Sequence, residues 1–181
     1  SEGYKTQPFS SRWVQRQMPM FDTQLVLLDE DYRRIAAVCD RLGRDANSKG
    51  IYVVDKSGQL VCESGELQNL DSTSLASLTA GCIAATGGLA KIVGEEEFPS
   101  HFHQGARDNL HITLVGDRMI LMVIFDERSS LGLVRLRVKK AGAELAKIFE
   151  EVKKKSEQDG PYAGSPFAEI TDDDIDNLFS D

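Results

Sequence analysis

Three histidines are the residues whose types and spacing come nearest to a metal site. His101 and His103 are two residues apart, so in an extended strand they share one face, and His111 follows close behind in the chain. Histidine is a common zinc ligand, but no acidic or cysteine ligand stands at suitable spacing from this group. The pattern therefore favours hydrogen bonding at a surface or a sheet edge, and we predict no metal and no cofactor.

The other reactive residue types form no catalytic constellation. The stretch GCIAATGG lacks the GK[ST] ending of a phosphate loop and lies within a helical pattern. The carboxylate runs 95–97 and 172–174 fit a helix end and a helix start better than an acid/base pair. No serine or cysteine stands in a nucleophile elbow, and the three scattered cysteines are typical of reduced, buried thiols. We therefore predict no catalytic residue and a protein that is not itself an enzyme.

Composition and charge narrow the classes of partner. The chain has 181 residues, of which 41 % are hydrophobic and 28 % charged, which indicates one globular domain of ordinary size with a tail. Its net charge of −8 argues against nucleic acid and against anionic membrane surfaces. We expect no apolar run approaching the ~20 residues of a membrane span, and the first 20 residues lack the apolar core of a signal peptide.

The elements that position these residues alternate between helix and strand. Hydrophobic spacing predicts helices over residues 29–49, 71–94 and 132–156. Strands are predicted over 51–54 and 59–63, joined by the turn 55–58, and over 110–115 and 119–125. Because proline has no N–H to donate to a neighbouring strand, Pro99 indicates that the segment around it is an edge strand or a loop. The order helix, two strands, helix, about three strands, helix predicts an α/β sandwich with a largely antiparallel sheet.

The central helix, 71–94, has two apolar sides where a surface helix has one. Asp71 or Ser72 can cap its start and Gly94 can end it. We predict that one side is the core stripe, and its members are Leu75, Leu78, Cys82, Ala85, Leu89, Ile92 and Val93. The other side has small residues and no charge before Lys91, and its members are Thr73, Ser77, Ala80, Ala84, Gly87 and Gly88.

Three glycines inside this helix require an explanation. Gly81, Gly87 and Gly88 each cost about 1 kcal/mol against alanine, so something must offset that cost. We infer that the helix backbone lies very close to another surface. Either both sides are buried within the subunit, or the small-residue side is used for self-association and for a partner protein.

The C-terminal segment 167–181 has the features of a binding motif. Thr171 is a good N-cap, and acidic residues follow it in the first turn. The segment is too short to be helical alone in water, so we expect it to fold on a partner's groove. The alternative is an idle acidic tail. The apolar residues that favour binding are Phe167, Ile170, Ile175, Leu178 and Phe179.

These patterns divide the chain into four parts. Residues 1–19 have no periodic pattern and are interpreted as an extension or an added remnant, with Met18 or Met20 as the natural start. Residues 20–156 form the folded domain, 157–166 a flexible linker, and 167–181 the C-terminal binding segment.

Longer stretches resemble a known family. The segments TQLVLLDEDYRRIAAVCDRLGRDAN, VDKSGQLV, SLASLTAGCIAATGGLAKIVGE and FHQGARDNLHITLVG, together with the terminal GSPFAEITDDDIDNLFSD, resemble the roadblock/dynein-light-chain fold family. Within it they are most similar to the MglB-type bacterial polarity proteins, above all the myxobacterial form. The resemblance covers nearly everything from Met20 to Asp181. It implies a five-stranded, mostly antiparallel sheet with the central helix on one face and the first and last helices on the other.

The resemblance also implies a function. Proteins of this type are cytoplasmic homodimers that regulate a small Ras-like GTPase of the MglA type in bacterial motility and polarity, with two subunits engaging one GTPase and a concentration at a cell pole. They accelerate GTP hydrolysis, and their C-terminal segment promotes nucleotide exchange from a site away from the nucleotide. Carried onto this chain, the GTPase-binding face is Ala80, Ala84, Gly87, Gly88 and Lys91. The C-terminal GTPase-binding residues are Phe167, Ile170, Ile175, Leu178 and Phe179.

The small-residue side can supply no charge to a reaction. Arginines that could stabilise phosphate charge in trans lie elsewhere in the sequence: Arg107, Arg118, Arg128, Arg135 and Arg137. We therefore expect activation by selecting the GTPase state in which its own catalytic residues are aligned. Two other functions stay open. One is a roadblock-type adaptor that leaves GTPase turnover unchanged, and the other is a small-ligand sensor with a pocket over the sheet.

Overall fold

The computed structural model describes residues 27–159, and these form three helices and five strands in the predicted order. The predictions for residues 1–19 and for the segment 167–181 lie outside the described residues. The elements are α1 (Asp29–Asp45), β1 (Gly50–Asp55), β2 (Leu60–Gly65), α2 (Ser72–Ile92), β3 (Ser100–Gln104), β4 (Asn109–Val115), β5 (Met119–Phe125) and α3 (Leu131–Asp159).

The five strands form one antiparallel sheet in the order β2-β1-β5-β4-β3. Strand β5 lies in the middle and is buried along its whole length, as its continuous apolar run predicts. Strand β3 follows Pro99 and lies at an edge, where the missing N–H of proline costs no ladder hydrogen bond. The sheet is therefore the one predicted, with pairing that is antiparallel throughout.

The two faces of the sheet carry two separate cores. On one face, Ile51, Val53 and Leu121 pack with α1 and α3. On the other face, Tyr52 and Met122 pack with α2 alone. This separation follows from the strand period of two, which sends successive side chains of β1 and β5 to opposite faces. The predicted α/β sandwich, with the central helix on one face and the first and last helices on the other, is confirmed.

Two helix ends differ from the sequence prediction. Helix α1 ends at Asp45, four residues before the predicted end, because Asn47 adopts a left-handed conformation with φ 53°. The N–H groups of Asn47 and Ser48 then donate to the carbonyls of Arg44 and Gly43, which satisfies the last turn of the helix. Helix α3 runs three residues beyond the predicted end, to Asp159.

Polar contacts fix the helices on the sheet. The Ser64 hydroxyl of β2 donates to Asp40 of α1 at 2.5 Å, and Arg34 of α1 pairs with Glu151 of α3 at 2.7 Å.

The cysteines are free thiols, as predicted, although Cys39 alone is fully buried. A hydrogen bond with Cys62, followed by burial, raises the pKa of Cys39, so this thiol stays protonated at the α1–β2 contact.

Candidate functional site

Helix α2 is positioned by polar contacts at its start. The Asp71 side chain accepts a hydrogen bond from the Ser74 N–H at 3.1 Å, which caps the helix as predicted. Hydrogen bonds from the Ser74 hydroxyl and N–H lower the pKa of Asp71 and keep the cap charged. The hydroxyls of Tyr52 and Ser72 lie 3.2 Å apart and join the first turn to β1.

Small residues dominate the inner side of α2, and this overturns most of the predicted core stripe, of which Leu75 alone packs on the sheet core. The sheet beneath α2 presents bulky side chains such as Tyr52 and Met122, and α2 packs on them with small residues and with Ile83. The hydroxyl of the buried Thr79 donates a hydrogen bond to the Leu75 carbonyl oxygen at 2.7 Å, so it is not left without a partner. The buried residues of α2 are Ala76, Thr79, Ala80, Ile83 and Ala90.

The outer side of α2 carries the large apolar residues that were predicted to be inside. Leu78 is 71 % exposed and Ile92 is 82 % exposed, and Leu89 and Val93 are also exposed. Residue size and helical spacing alone predict that the larger apolar residues face inward, whereas contact with the bulky residues of the sheet decides the orientation. The result is an apolar helix face without cover from the described residues.

The predicted GTPase-binding face is only partly available. Ala80 is 8 % exposed and packs on the sheet, so its prediction as a surface residue is wrong. Ala84, Gly88 and Lys91 are exposed, and Gly87 is half-buried. The exposed part of the predicted face therefore lies on the outward half of α2, as the exposed Leu78 and Leu89 do.

The helix glycines have no close neighbour in the subunit. A Cβ added at Gly81, Gly87 or Gly88 would meet no atom within 4 Å. The described residues therefore contain no surface that requires these glycines. The cost of about 1 kcal/mol that each imposes on the helix is unexplained by packing within the subunit.

One side of α2 lies beside the free edge of β3. The Sγ atom of Cys82 is 3.9 Å from Nε2 of His103. Strand β3 pairs only with β4 among the described strands, so its other edge offers unpaired backbone groups. Leu78 and Leu89 lie at i−4 and i+7 from Cys82, so their side chains line the same side of the helix.

The histidines do not converge. In the β3–β4 register His101 pairs with Ile112, whereas Phe102 pairs with His111, so His111 lies on the opposite sheet face from His101 and His103. His111 is 2 % exposed, and its ring nitrogens lie 3.2 Å from the Ser100 hydroxyl and 3.3 Å from that of Thr113.

The environment of His111 disfavours its charged form. Burial, then the charges of Arg135 and His101, lower the pKa of His111. Within residues 27–159 no group of three or more metal-ligating side chains is assembled. The predicted hydrogen bonding is present at His111, but this histidine is buried on β4 and does not lie at the surface or sheet edge where the prediction placed it.

None of the five arginines belongs to α2. Arg118 pairs with Asp55 at 3.4 Å, and Arg128 pairs with Asp126 at 3.0 Å. Arg135 and Arg137 belong to α3, across the sheet from α2, and Arg107 is exposed in the β3–β4 loop. Lys91 is the only charged residue of α2, as the sequence indicates.

A cavity of about 490 Å³ lies at the β3–β4 loop. Charged residues of both signs line it, and Lys49 donates to Asp108 there at 3.0 Å. None of its lining residues belongs to α2, so it is not a pocket between that helix and the sheet.

Helix α2 also has the length and composition of a membrane span, with 21 residues and a mean hydropathy of 1.4 over its most apolar window. This differs from the expectation that no apolar run approaches that length. The reason is that both sides of α2 are apolar: the inner side packs on the sheet and the outer side is open. One such helix is weak support for a membrane span.

The sequence and the fold are similar to those of known proteins. The Roadblock/LC7 domain profile matches residues 34–125. The structure of Myxococcus xanthus MglB is similar, with 61 % sequence identity, a TM-score of 0.67, and coverage of 70 % of this chain and 96 % of that one. No curated protein sequence matches the chain.

Two further solved structures are similar over the same region. The gliding protein MglB of Thermus thermophilus has 34 % identity and a TM-score of 0.68, with 72 % of this chain and 99 % of that chain covered. A structure described as MglB with tetrameric arrangement has 32 % identity and a TM-score of 0.69, with 73 % and 99 % covered.

Proposed function

The chain belongs to the Roadblock/LC7 family, in its MglB-type branch, and from that premise we propose that it is a homodimeric regulator of a small Ras-like GTPase of the MglA type. The observation that carries the proposal is the outer face of α2. Large apolar residues and unpacked glycines lie there together, and both features need a protein surface opposite them.

The dimer contact, in this proposal, uses the side of α2 that lies beside β3. Leu78 and Leu89 line this side, and the contact between Cys82 and His103 places it next to the free strand edge. Pairing of two β3 edges in an antiparallel manner satisfies their backbone groups and brings two copies of α2 together. The exposed leucines are then buried between the two copies.

The GTPase contact uses the remaining outer surface of α2, around Ala84, Gly88 and Lys91. Because Gly81 and Gly88 leave open space at the helix surface, a partner's backbone can approach there without a clash. Two copies of α2 side by side form one platform, so we propose that two subunits engage one GTPase. The outer face of α2 is thus covered by protein and not by lipid, and we propose no membrane insertion and no nucleic-acid binding.

This regulator stimulates hydrolysis without a catalytic group of its own. An arginine supplied in trans typically gives a 10³- to 10⁵-fold acceleration, but α2 carries a single lysine and no arginine. A neutral, close-fitting face can instead bind the switch conformation in which the GTPase's own catalytic residues are aligned. The acceleration is then limited by the differential affinity of α2 for the two switch states.

The C-terminal segment 167–181 has the second role. Its sequence combines a helix start at Thr171 with apolar residues at i, i+3 and i+4, namely Ile175, Leu178 and Phe179. We propose that it binds the same GTPase away from the nucleotide and promotes exchange. In the cell, the protein would then act in the cytoplasm, concentrated at a pole, in the control of polarity and motility.

The test is GTP hydrolysis and nucleotide release by the cognate GTPase, with and without this protein. The full chain should raise both rates. A variant that ends at Asp159 should keep the stimulation of hydrolysis and lose the stimulation of release. Equal hydrolysis rates with and without the protein would instead identify an adaptor that binds without changing turnover.

A small-ligand sensor is the weaker alternative. The cavity at the β3–β4 loop has the volume for a ligand, but charged residues of both signs line it and Lys49 is already paired there. A ligand that co-purifies with the protein and is lost on substitution of Lys49 would support that function.

A further inference from the structure

The charges of this protein are divided between two regions of opposite sign. The first part of α3, residues 131–147, holds five basic residues and one acidic residue, a net charge of +4. Residues 160–181, which follow α3 directly, hold six acidic residues and no basic one, a net charge of −6. In a protein with a net charge of −8, a basic part of α3 is therefore followed along the chain, after residues 148–159, by an acidic segment.

The basic residues of this region form no salt bridge with the part of the chain that the structure describes. Within residues 27–159 no carboxylate lies within 4.0 Å of any of them, which is also true of Arg33, Arg44 and Lys91, whereas Arg34, Arg41 and Lys154 form salt bridges. The charge of Lys147 still helps to lower the pKa of Glu151. The five basic residues are Arg135, Arg137, Lys139, Lys140 and Lys147.

Part of this set forms a continuous stripe that faces away from the core. Leu136, Lys140, Ala143 and Lys147 recur at spacings of four, three and four, and Lys139 flanks them, so all five point outward together. Leu136 is 63 % exposed, which gives the stripe one apolar contact point among the lysines. We name these five residues the outer α3 stripe.

The acidic segment can reach this stripe from the end of its own helix. Leu136 is 23 residues before Asp159, which is about 35 Å along a helix axis. An extended chain covers about 3.3 Å per residue, so residues 160–170 alone span about as far. The segment 171–179 can therefore lie antiparallel to α3 along the outer stripe.

We propose that, without a partner, the segment 167–181 docks on the outer α3 stripe of its own subunit. Acidic residues 172–174 and Asp176 oppose the lysines, and Leu178 or Phe179 covers Leu136 and the lysine stems. Docking within the subunit is favoured over docking on another copy because the short connection keeps the local concentration in the millimolar range.

The consequence is a competition for the segment. Only molecules in which the segment is undocked from α3 can bind a GTPase through it. The apparent Kd of the segment for the GTPase is therefore the intrinsic Kd divided by the undocked fraction. This consequence rests on the proposed function, whereas the docking itself does not.

The test uses the full chain alone, treated with a carbodiimide that joins carboxylates to amines in direct contact. A mixture of ¹⁴N and ¹⁵N protein distinguishes links within a chain from links between chains. We expect links from residues 172–176 to Lys139, Lys140 or Lys147 within single chains. The double variant K139E/K140E should reduce the links to Lys147 about tenfold, since it replaces attraction by repulsion, and 0.5 M salt should act in the same direction.

Lys91→Glu, on the other side of the sheet, is the control and should leave the links unchanged. Absence of the links, links only between isotopically different chains, or equal yields in K139E/K140E would overturn the proposal. No GTPase is present in this test, so its failure would leave the proposed regulation of a GTPase untouched. If the proposal is correct, K139E/K140E should also bind the GTPase through the segment at least about twofold more tightly than the parent chain.

Discussion

The Sγ atom of Cys82 lies 3.9 Å from Nε2 of His103, and this contact joins the middle of helix α2 to the edge strand β3. Two surfaces that each lack a partner in the described chain therefore lie side by side: the outer leucines of α2 and the open backbone edge of β3. Because these two surfaces are adjacent, a single substitution on α2 can test the proposed dimer contact.

Leu89→Glu should convert the dimer to a monomer. Burial of a leucine contributes about 2 kcal/mol or more, and a symmetric dimer loses this contribution twice, so the dimer is weakened by a factor of about 10³ before the cost of a buried charge is added. Sedimentation velocity over a range of concentrations measures the change. Leu136→Glu is the matched control, since Leu136 is equally exposed but lies on α3 across the sheet. A dimer that survives Leu89→Glu would place the interface elsewhere.

Gly88→Ala should stabilise the protein and impair its function. The added methyl meets no atom of the subunit within 4 Å, so removing the glycine should raise the free energy of unfolding by about 0.5–1 kcal/mol. The same methyl should separate two backbones at the GTPase contact and weaken binding by about 1–3 kcal/mol. Urea unfolding and GTPase binding measure the two effects.

Gly142→Ala is the control for this substitution. Gly142 lies within α3, and a Cβ there also meets nothing within 4 Å. It should give the same stabilisation without a change in GTPase binding. If Gly88→Ala behaves as Gly142→Ala does in both measurements, no partner approaches α2 at Gly88.

Ala80→Leu should destabilise the fold. Ala80 lies between α2 and the bulky residues of the sheet, so the larger side chain overpacks that core by about 1–3 kcal/mol. Ala143→Leu, at an exposed site of α3, should stay within about 0.5 kcal/mol of the parent chain. Urea unfolding compares the two variants, and a neutral Ala80→Leu would contradict the inner orientation of this residue.

His111 should make stability depend on pH. Its pKa in the folded state is lowered, chiefly by burial, so below the ordinary value of about 6.5 the unfolded chain binds a proton that the folded chain does not. Stability is therefore full above that value and falls as the pH drops through the folded-state pKa of His111. In His111→Gln, which keeps a hydrogen-bonding side chain between Ser100 and Thr113, this part of the pH dependence should disappear.

Urea unfolding at pH 7.5 and at pH 5 measures the difference. His103→Gln, on an exposed edge strand, is the control and should keep the pH dependence of the parent chain. An unchanged pH profile in His111→Gln would mean that His111 is accessible to protons in the folded state.

Much of the fold follows from local signals in the sequence. The continuous apolar run of β5 predicts a central strand, Pro99 predicts the edge at β3, and Asp71 marks the start of α2, and each is where it was expected. These signals are strong because each depends on one residue or one run and not on the packing of distant elements. The end of α1 was missed because a left-handed Asn47 is only a weak signal beside a continuing helical pattern.

The orientation of α2 could not be predicted from its own sequence. With apolar residues on both sides, the helix gives no periodic signal, and the size of Leu78 and Leu89 alone predicts that they lie inside. The inner side is decided by Tyr52 and Met122 of the sheet, which pack mainly against small residues such as Ala76 and Ala80. This information lies in the contact between distant elements, and a pattern of alanines at i and i+4 opposite bulky strand residues is the signal that could have revealed it.

The most direct test of the account is single-turnover GTP hydrolysis by the cognate GTPase at saturating concentrations of this protein. We predict that Gly88→Arg abolishes the stimulation without unfolding the protein, because a long cation is placed where two backbones meet. Alanine at each of Arg107, Arg118, Arg128, Arg135 and Arg137 should change the stimulated rate by less than about tenfold. Full stimulation by Gly88→Arg, or a loss of about 10³-fold in any one arginine variant with binding intact, would contradict the account.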